Sequence, residues 1–246
     1  MSIVAALAFA IAGQTPRERI AKLAADYGIE IKVLTSIQRT SRFDYFVTAQ
    51  PPTEEQLAKY LPFFEIEWRR YPVSLMARVK LKRMIIGAKV QVEGQPRAVV
   101  PEFAPGWFWL DAEVGSRLPE YGRLAMHHDF FHMIDDAIRP GRQDRAWAAL
   151  NGPNVRYGIG GWWMQKGGAG AMRKDLPGFL TAYSTSAVEE DKAEVFSHLI
   201  GTSAFVEERM AADPVIKAKV ERLKQLVVTF EPAMDESWWR ANRFPG

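Results

Sequence analysis

The chain has 246 residues, no cysteine, a net charge of +3, and hydrophobic and charged fractions of 48% and 25%. Without cysteine, disulfides, thiolate metal sites and cysteine nucleophiles are excluded, so any metal must be held by histidines and carboxylates. The size suits one substantial domain with at most a small companion, and the dispersed Lys and Arg exclude the basic stripe of a nucleic-acid-binding face.

Ile3 to Ala12 is an uncharged apolar run ending Ala10-Ile11-Ala12. It resembles a signal-peptide core with a small-residue cleavage site, although the first positive charge is Arg17. Secreted or periplasmic and cytoplasmic locations both stay open. The run is too short to span a membrane, and no membrane span is expected. Thr15-Pro16-Arg17-Glu18 is a capping box with proline at the first helical position, and the helix it opens stops at Gly28. Ile29 to Leu34 alternates as a strand, with Phe43 to Val47 as its expected partner. Thr53 and Gln56 form a second capping box, and Leu57, Tyr60, Leu61 and Phe64 follow at helical spacing until Pro72. Residues 1–75 therefore read as a small α+β extension, and residues 76–246 as the main domain.

From Val79 the alternation with Arg78, Lys80 and Lys82 predicts a strand. Gly94-Gln95 reads as a hairpin turn between Val90–Val92 and Ala98–Val100, and Trp107 to Leu110 as a further strand. That last strand, arriving just before the next helix, is expected to be an edge strand that lines a cleft and to which an extended chain can add by main-chain hydrogen bonds. Pro119 opens a helix expected to run to about Ile138. Residues 152 to 178 hold eight of the eighteen glycines, with Trp162-Trp163 among them, and read either as a connector or as a rim over a cleft. Glu189 to Ile200 returns to helix, and Asp213-Pro214 caps a long amphipathic one.

The chemistry gathers on the helix opened by Pro119. Three of the four histidines, His127, His128 and His132, fall within six residues. His128 and His132 are four apart and stack on one helical face. With Asp129 after the first, they follow the H-E-x-x-H pattern of zinc hydrolases, aspartate replacing glutamate. A catalytic zinc takes three protein ligands and leaves a position for water. The third is either Asp135, three residues beyond His132, or Glu190, with Glu194 one turn later on a second helix. In the second case, Glu194 can take a ligand histidine's free N–H. Asp135 is better suited to orienting a ligand or capping a neighbour. His127 and His198 read as packing or surface residues.

His128-Asp-Phe-Phe-His132, followed by Tyr183 seven residues ahead of Glu190-Asp191-Lys192-Ala193-Glu194, resembles the zinc-binding metallopeptidases of the glutamate-zincin group, akin to the catalytic domain of anthrax lethal factor. The likeness covers roughly residues 80 to 200. It implies a zincin-like α+β domain: a mixed sheet, an active-site helix and a glutamate-bearing helix. It also implies Zn2+ as cofactor, held by His128, His132 and Glu190, with Glu194 behind a histidine. Tyr183 would donate to the oxyanion and Asp129 would act as general base, on a peptide or protein substrate. Asp129 is one methylene, about 1.5 Å, shorter than the glutamate of the pattern, and a misplacement of about 1 Å can cost on the order of a hundredfold in rate. The alternative is thus a zinc-binding pseudoprotease that holds a peptide or protein without cutting it. A third reading makes the histidines the buried core of a helical binding module.

Overall fold

The computed structural model describes residues 15–42, 45–139, 144–164 and 169–244, so the apolar run at 3–12 lies outside the described residues. Both capping boxes form. Glu18 accepts the Thr15 N–H at 2.7 Å while Thr15 Oγ1 accepts the Glu18 N–H at 3.3 Å, starting α1 (Pro16–Tyr27). The helix stops at Gly28, whose φ of 63° is left-handed and costs glycine no Cβ clash. Thr53 and Gln56 repeat the arrangement at α2 (Glu54–Trp68).

The sheet is mixed and seven-stranded: β1 (Glu30–Val33), β2 (Gln38–Arg42), β3 (Tyr45–Gln50), β4 (Arg83–Val92), β5 (Gln95–Pro96), β6 (Val99–Glu102) and β7 (Trp107–Asp111). β4 is its spine. The first half of β4 lies parallel between β1 and β7, and its second half pairs antiparallel with β3 and β5.

Three strand expectations are corrected here. Residues 78–82 are not a strand: α3 (Val73–Arg78) ends there, and a turn with Lys80 at φ 57° leads into β4. The true strand was hidden because Met84, Ile85 and Ile86 are all buried, one face each way, which erases alternation. β1 pairs with β4, whereas β3 pairs with β2 and β4. β7 is not the edge, because β6 folds back antiparallel on it and takes the outer position. A hairpin turn does form at Gly94, with φ 78°, but Gln95 already lies in β5 paired with Val92, and Val99 and Val100 pair with β7 instead of β4.

Helices α4 (Ala112–Arg117), α5 (Pro119–Ile138), α6 (Arg145–Ala149), α7 (Val188–Gly201), α8 (Ser203–Ala212), α9 (Pro214–Phe230) and α10 (Glu236–Ala241) complete the α+β fold. The main core lies on the face of the sheet carrying Met84, Ile86, Phe108 and Leu110, which pack with Trp68 of α2 and Phe130 of α5. Ile85, Val90 and Trp109 form a smaller cluster on the opposite face. Trp238 and Trp239 of α10 carry no pattern in sequence, yet Trp239 packs edge-on against Phe196 of α7 at 5.6 Å.

The histidine helix α5 is buried on two sides. Toward the sheet, the Phe130 ring lies 4.7 Å from both Trp68 and Tyr71. His127 points the same way, its Nδ1 2.6 Å from the Tyr71 hydroxyl and its Nε2 3.2 Å from Glu67 of α2. Glu67 also accepts from Arg70 and Arg123. A neutral imidazole fits this setting, accepting from Tyr71 and donating to Glu67. Burial lowers the His127 pKa, outweighing the pull of Glu67. His127 is thus a packing residue, and it fixes the back of α5.

Candidate metal centre

The other side of α5 faces α7. Pro119 starts α5 and Ile138 ends it, as the sequence predicts. α7 begins with Glu189, Glu190 and Asp191 in its first turn, where acids complement the helix dipole. Its next residues all point inward: Asp191, Lys192 and Glu194 are buried. Asp191 pairs with Lys219 of α9 at 2.6 Å and accepts from Trp147 Nε1 at 2.7 Å. Lys192 Nζ meets both carboxylate oxygens of Asp135 at 2.5 Å, a bond from α7 to α5. Asp135, the local alternative for a third ligand, therefore turns to Lys192 and acts on the pairing of the helices.

With the helices so locked, His128 Nε2 lies 3.2 Å from His132 Nε2 and 2.9 Å from Glu190 Oε2. His132 Nε2 is 3.3 Å from the same oxygen. This trio can hold a metal ion. Tetrahedral zinc with bonds of about 2.05 Å has ligand atoms about 3.3 Å apart, close to these separations. Behind it, His128 Nδ1 meets Glu194 Oε1 at 2.9 Å, and Thr181 Oγ1 donates to Glu194 Oε2 at 2.7 Å. His198, read from sequence as a packing or surface residue, is buried beside the same carboxylate, its Nε2 3.6 Å from Glu194 Oε2. His132 Nδ1 is buried with no hydrogen-bond partner among the described residues.

Burial would lower the His128 pKa, but hydrogen bonds from its ring nitrogens to Glu190 and Glu194 outweigh it and hold the pKa well above the usual value. Burial likewise pushes Glu190 and Glu194 up, and their histidine partners overcome this and hold both carboxyls below their usual range. Asp129 differs. Burial raises its pKa to about 6, against the opposing pull of His128 and His132. A cation bound beside it would lower that value. Tyr183 sits on a 3₁₀ turn just ahead of α7, its ring 5.7 Å from the His128 ring, and burial with Glu190 nearby raises its pKa.

These groups open on a cleft of about 980 Å³, walled by β6 through Val99, Val100 and Pro101 and covered in part by Trp162, Met164 and Gly170. Among its described residues, the part of the glycine-rich segment around Trp162, Met164 and Gly170 is thus a rim of the cleft. Its Gly161 was not singled out in sequence. A Cβ there would fall 2.2 Å from the Tyr183 hydroxyl and 2.4 Å from Glu190 Oε1, so only glycine lets the rim approach both groups. Thr181 and Arg97 also escape sequence reading, since neither stands in a motif.

No family model matches the chain, and no curated protein sequence does. Among solved structures it is similar to a "putative zinc-binding metallo-peptidase" from Bacteroides caccae, with a TM-score of 0.57 over 93% of this chain and 91% of that one, at 17% identity. At that identity the likeness is one of fold. Among the described residues, no helix is long and apolar enough to cross a membrane.

Proposed function

We propose that the chain is a zinc-dependent metallopeptidase of the zincin type, with the metal held by His128, His132 and Glu190. The observation that carries this reading is the convergence of the three ligand atoms at near-tetrahedral separations, with Glu194 bonded behind His128. Bound zinc would supply Lewis acidity to a water and to the substrate carbonyl.

The chain's own residues do the rest. Asp129, ionised above a pKa of about 6, takes a proton from the attacking water. Tyr183 stays protonated at neutral pH and donates a hydrogen bond where the carbonyl oxygen becomes negative. When the C–N bond breaks, Asp129 returns the proton to the leaving amine. The substrate is a peptide or protein, and a cleft of about 980 Å³ has room for several residues.

The short side chain of Asp129 favours a second reading, a zinc-bound protein that holds a peptide without cutting it. Elemental analysis of the purified chain is expected to find about one zinc per molecule, lost in His128→Ala and Glu190→Ala. A metal-free wild type overturns the assignment. Cleavage of a broad peptide library by wild type or by Asp129→Glu supports the peptidase; cleavage by neither leaves the binding protein.

A further inference from the structure

Arg97 stands between β5 and β6, anchored by its N–H to Val90 O at 2.9 Å, and lines the cleft that holds the metal trio. Its guanidinium lies 5.2 Å from the Trp162 ring centroid on the rim. Nη1 donates to Pro96 O and Nη2 to the Gln95 side-chain oxygen, each at 3.0 Å. Both acceptors are neutral, and no carboxylate pairs with Arg97 among the described residues. Arg123, on the histidine helix, shows the contrast, being held by Glu67 at 2.8 Å. The cleft therefore carries a half-buried cation fixed in place by neutral groups.

A planar guanidinium braced on an aromatic ring, with its charge left over, is suited to a carboxylate, which it can bind with two parallel hydrogen bonds. Resting on the peptidase reading above, we propose that Arg97 is a specificity determinant that binds a carboxylate of the peptide substrate beside the metal site. The carboxylate is either an acidic side chain near the scissile bond or the free C-terminus of a short peptide. The competing role for Arg97 is to balance Asp129, Glu190 and Glu194, which would affect every substrate alike.

The test uses the full zinc-loaded chain and matched fluorescent hexapeptides carrying Glu, Gln or Lys at each position, with free or amidated C-termini. Binding is read by anisotropy, and cleavage, where present, as separate kcat and KM values. Wild type is expected to favour a carboxylate-bearing peptide. Arg97→Ala weakens that peptide about 10- to 100-fold in Kd or KM and its amide counterpart by no more than about two-fold. Arg97→Glu turns the preference toward Lys, and Arg97→Lys restores part of the wild-type preference. Loss confined to Glu peptides assigns a side-chain site; loss confined to free C-termini assigns a terminal one.

Equal weakening of Glu and Gln peptides together with equal weakening of free and amidated C-termini, or a wild type that shows no carboxylate preference or binds none of the peptides, overturns the proposal. Zinc content, measured on the same samples, separates this failure from failure of the metal site.

Discussion

At the residue scale the site depends on contacts that no motif contains. Gly161 is the clearest case, because its missing side chain is what lets the rim sit against Tyr183 and Glu190. Gly161→Ala is expected to weaken zinc binding by roughly ten-fold or more, measured by chelator competition, as a ligand or its support is displaced. Gly170→Ala is the control, since an added Cβ there has nothing within 4 Å. Unchanged affinity in Gly161→Ala would mean that the rim yields instead. His128 with His132 and Glu190 with Glu194 could be picked from sequence because helical spacing places i and i+4 on one face, and Tyr183 only because its place ahead of Glu190 resembles a family pattern. Gly161, Thr181 and Arg97 could not, because none stands in a motif: Gly161 meets Glu190 and Arg97 meets Trp162 only through the fold, and Thr181 meets Glu194 from outside its helix.

At the element scale, the pairing of α5 with α7 is what turns two helices into a site. Their boundaries were legible, since Pro119 opens one and acids gather at the start of the other. Their lock was not. Asp135 reads as a residue that orients a ligand or caps a neighbour, and Lys192 carries no reading of its own, yet the two meet in a buried pair. Breaking such a pair leaves an uncompensated buried charge and costs on the order of 3–5 kcal/mol. Lys192→Met is expected to lower unfolding free energy by about that amount in urea denaturation. Lys192→Met combined with Asp135→Leu should recover much of the loss, since a hydrophobic pair removes the stranded charge. A double variant no more stable than the single would refute that account. The sheet was the least legible element. Its central strand is apolar on both faces, so it offers no period of two to read.

At the scale of the whole molecule, the first 75 residues and the remainder share the sheet and the main core. Glu67 is the most exacting of these links, a buried carboxylate serving His127, Arg70 and Arg123. Burial alone would raise its pKa, but the hydrogen bond from His127 and the pull of Arg70 bring it down to about 2. A carboxyl whose pKa is depressed by folding adds stability that is complete above its unfolded value of about 4.5. The contribution is lost as pH falls toward 2. The amount at stake is on the order of 3 kcal/mol. Unfolding free energy followed from pH 6 downward should fall more steeply below about pH 4.5 in wild type than in Glu67→Gln. Parallel curves would rule out this linkage.

The placement of His127 has a consequence for how the chain is made. The back of α5 is clasped by residues about sixty positions upstream, and its front by residues about sixty positions downstream. During synthesis the upstream clasp is available first, so Glu67 and Tyr71 can orient α5 while α7 is still unmade. In the proposed ligand set, the last residue to arrive is Glu190. A nascent chain halted between residues 140 and 180 would carry a half-built site, two histidines aligned and the anion missing, and would retain metal only weakly. If the proposed site binds metal, capture is expected to wait for the emergence of α7.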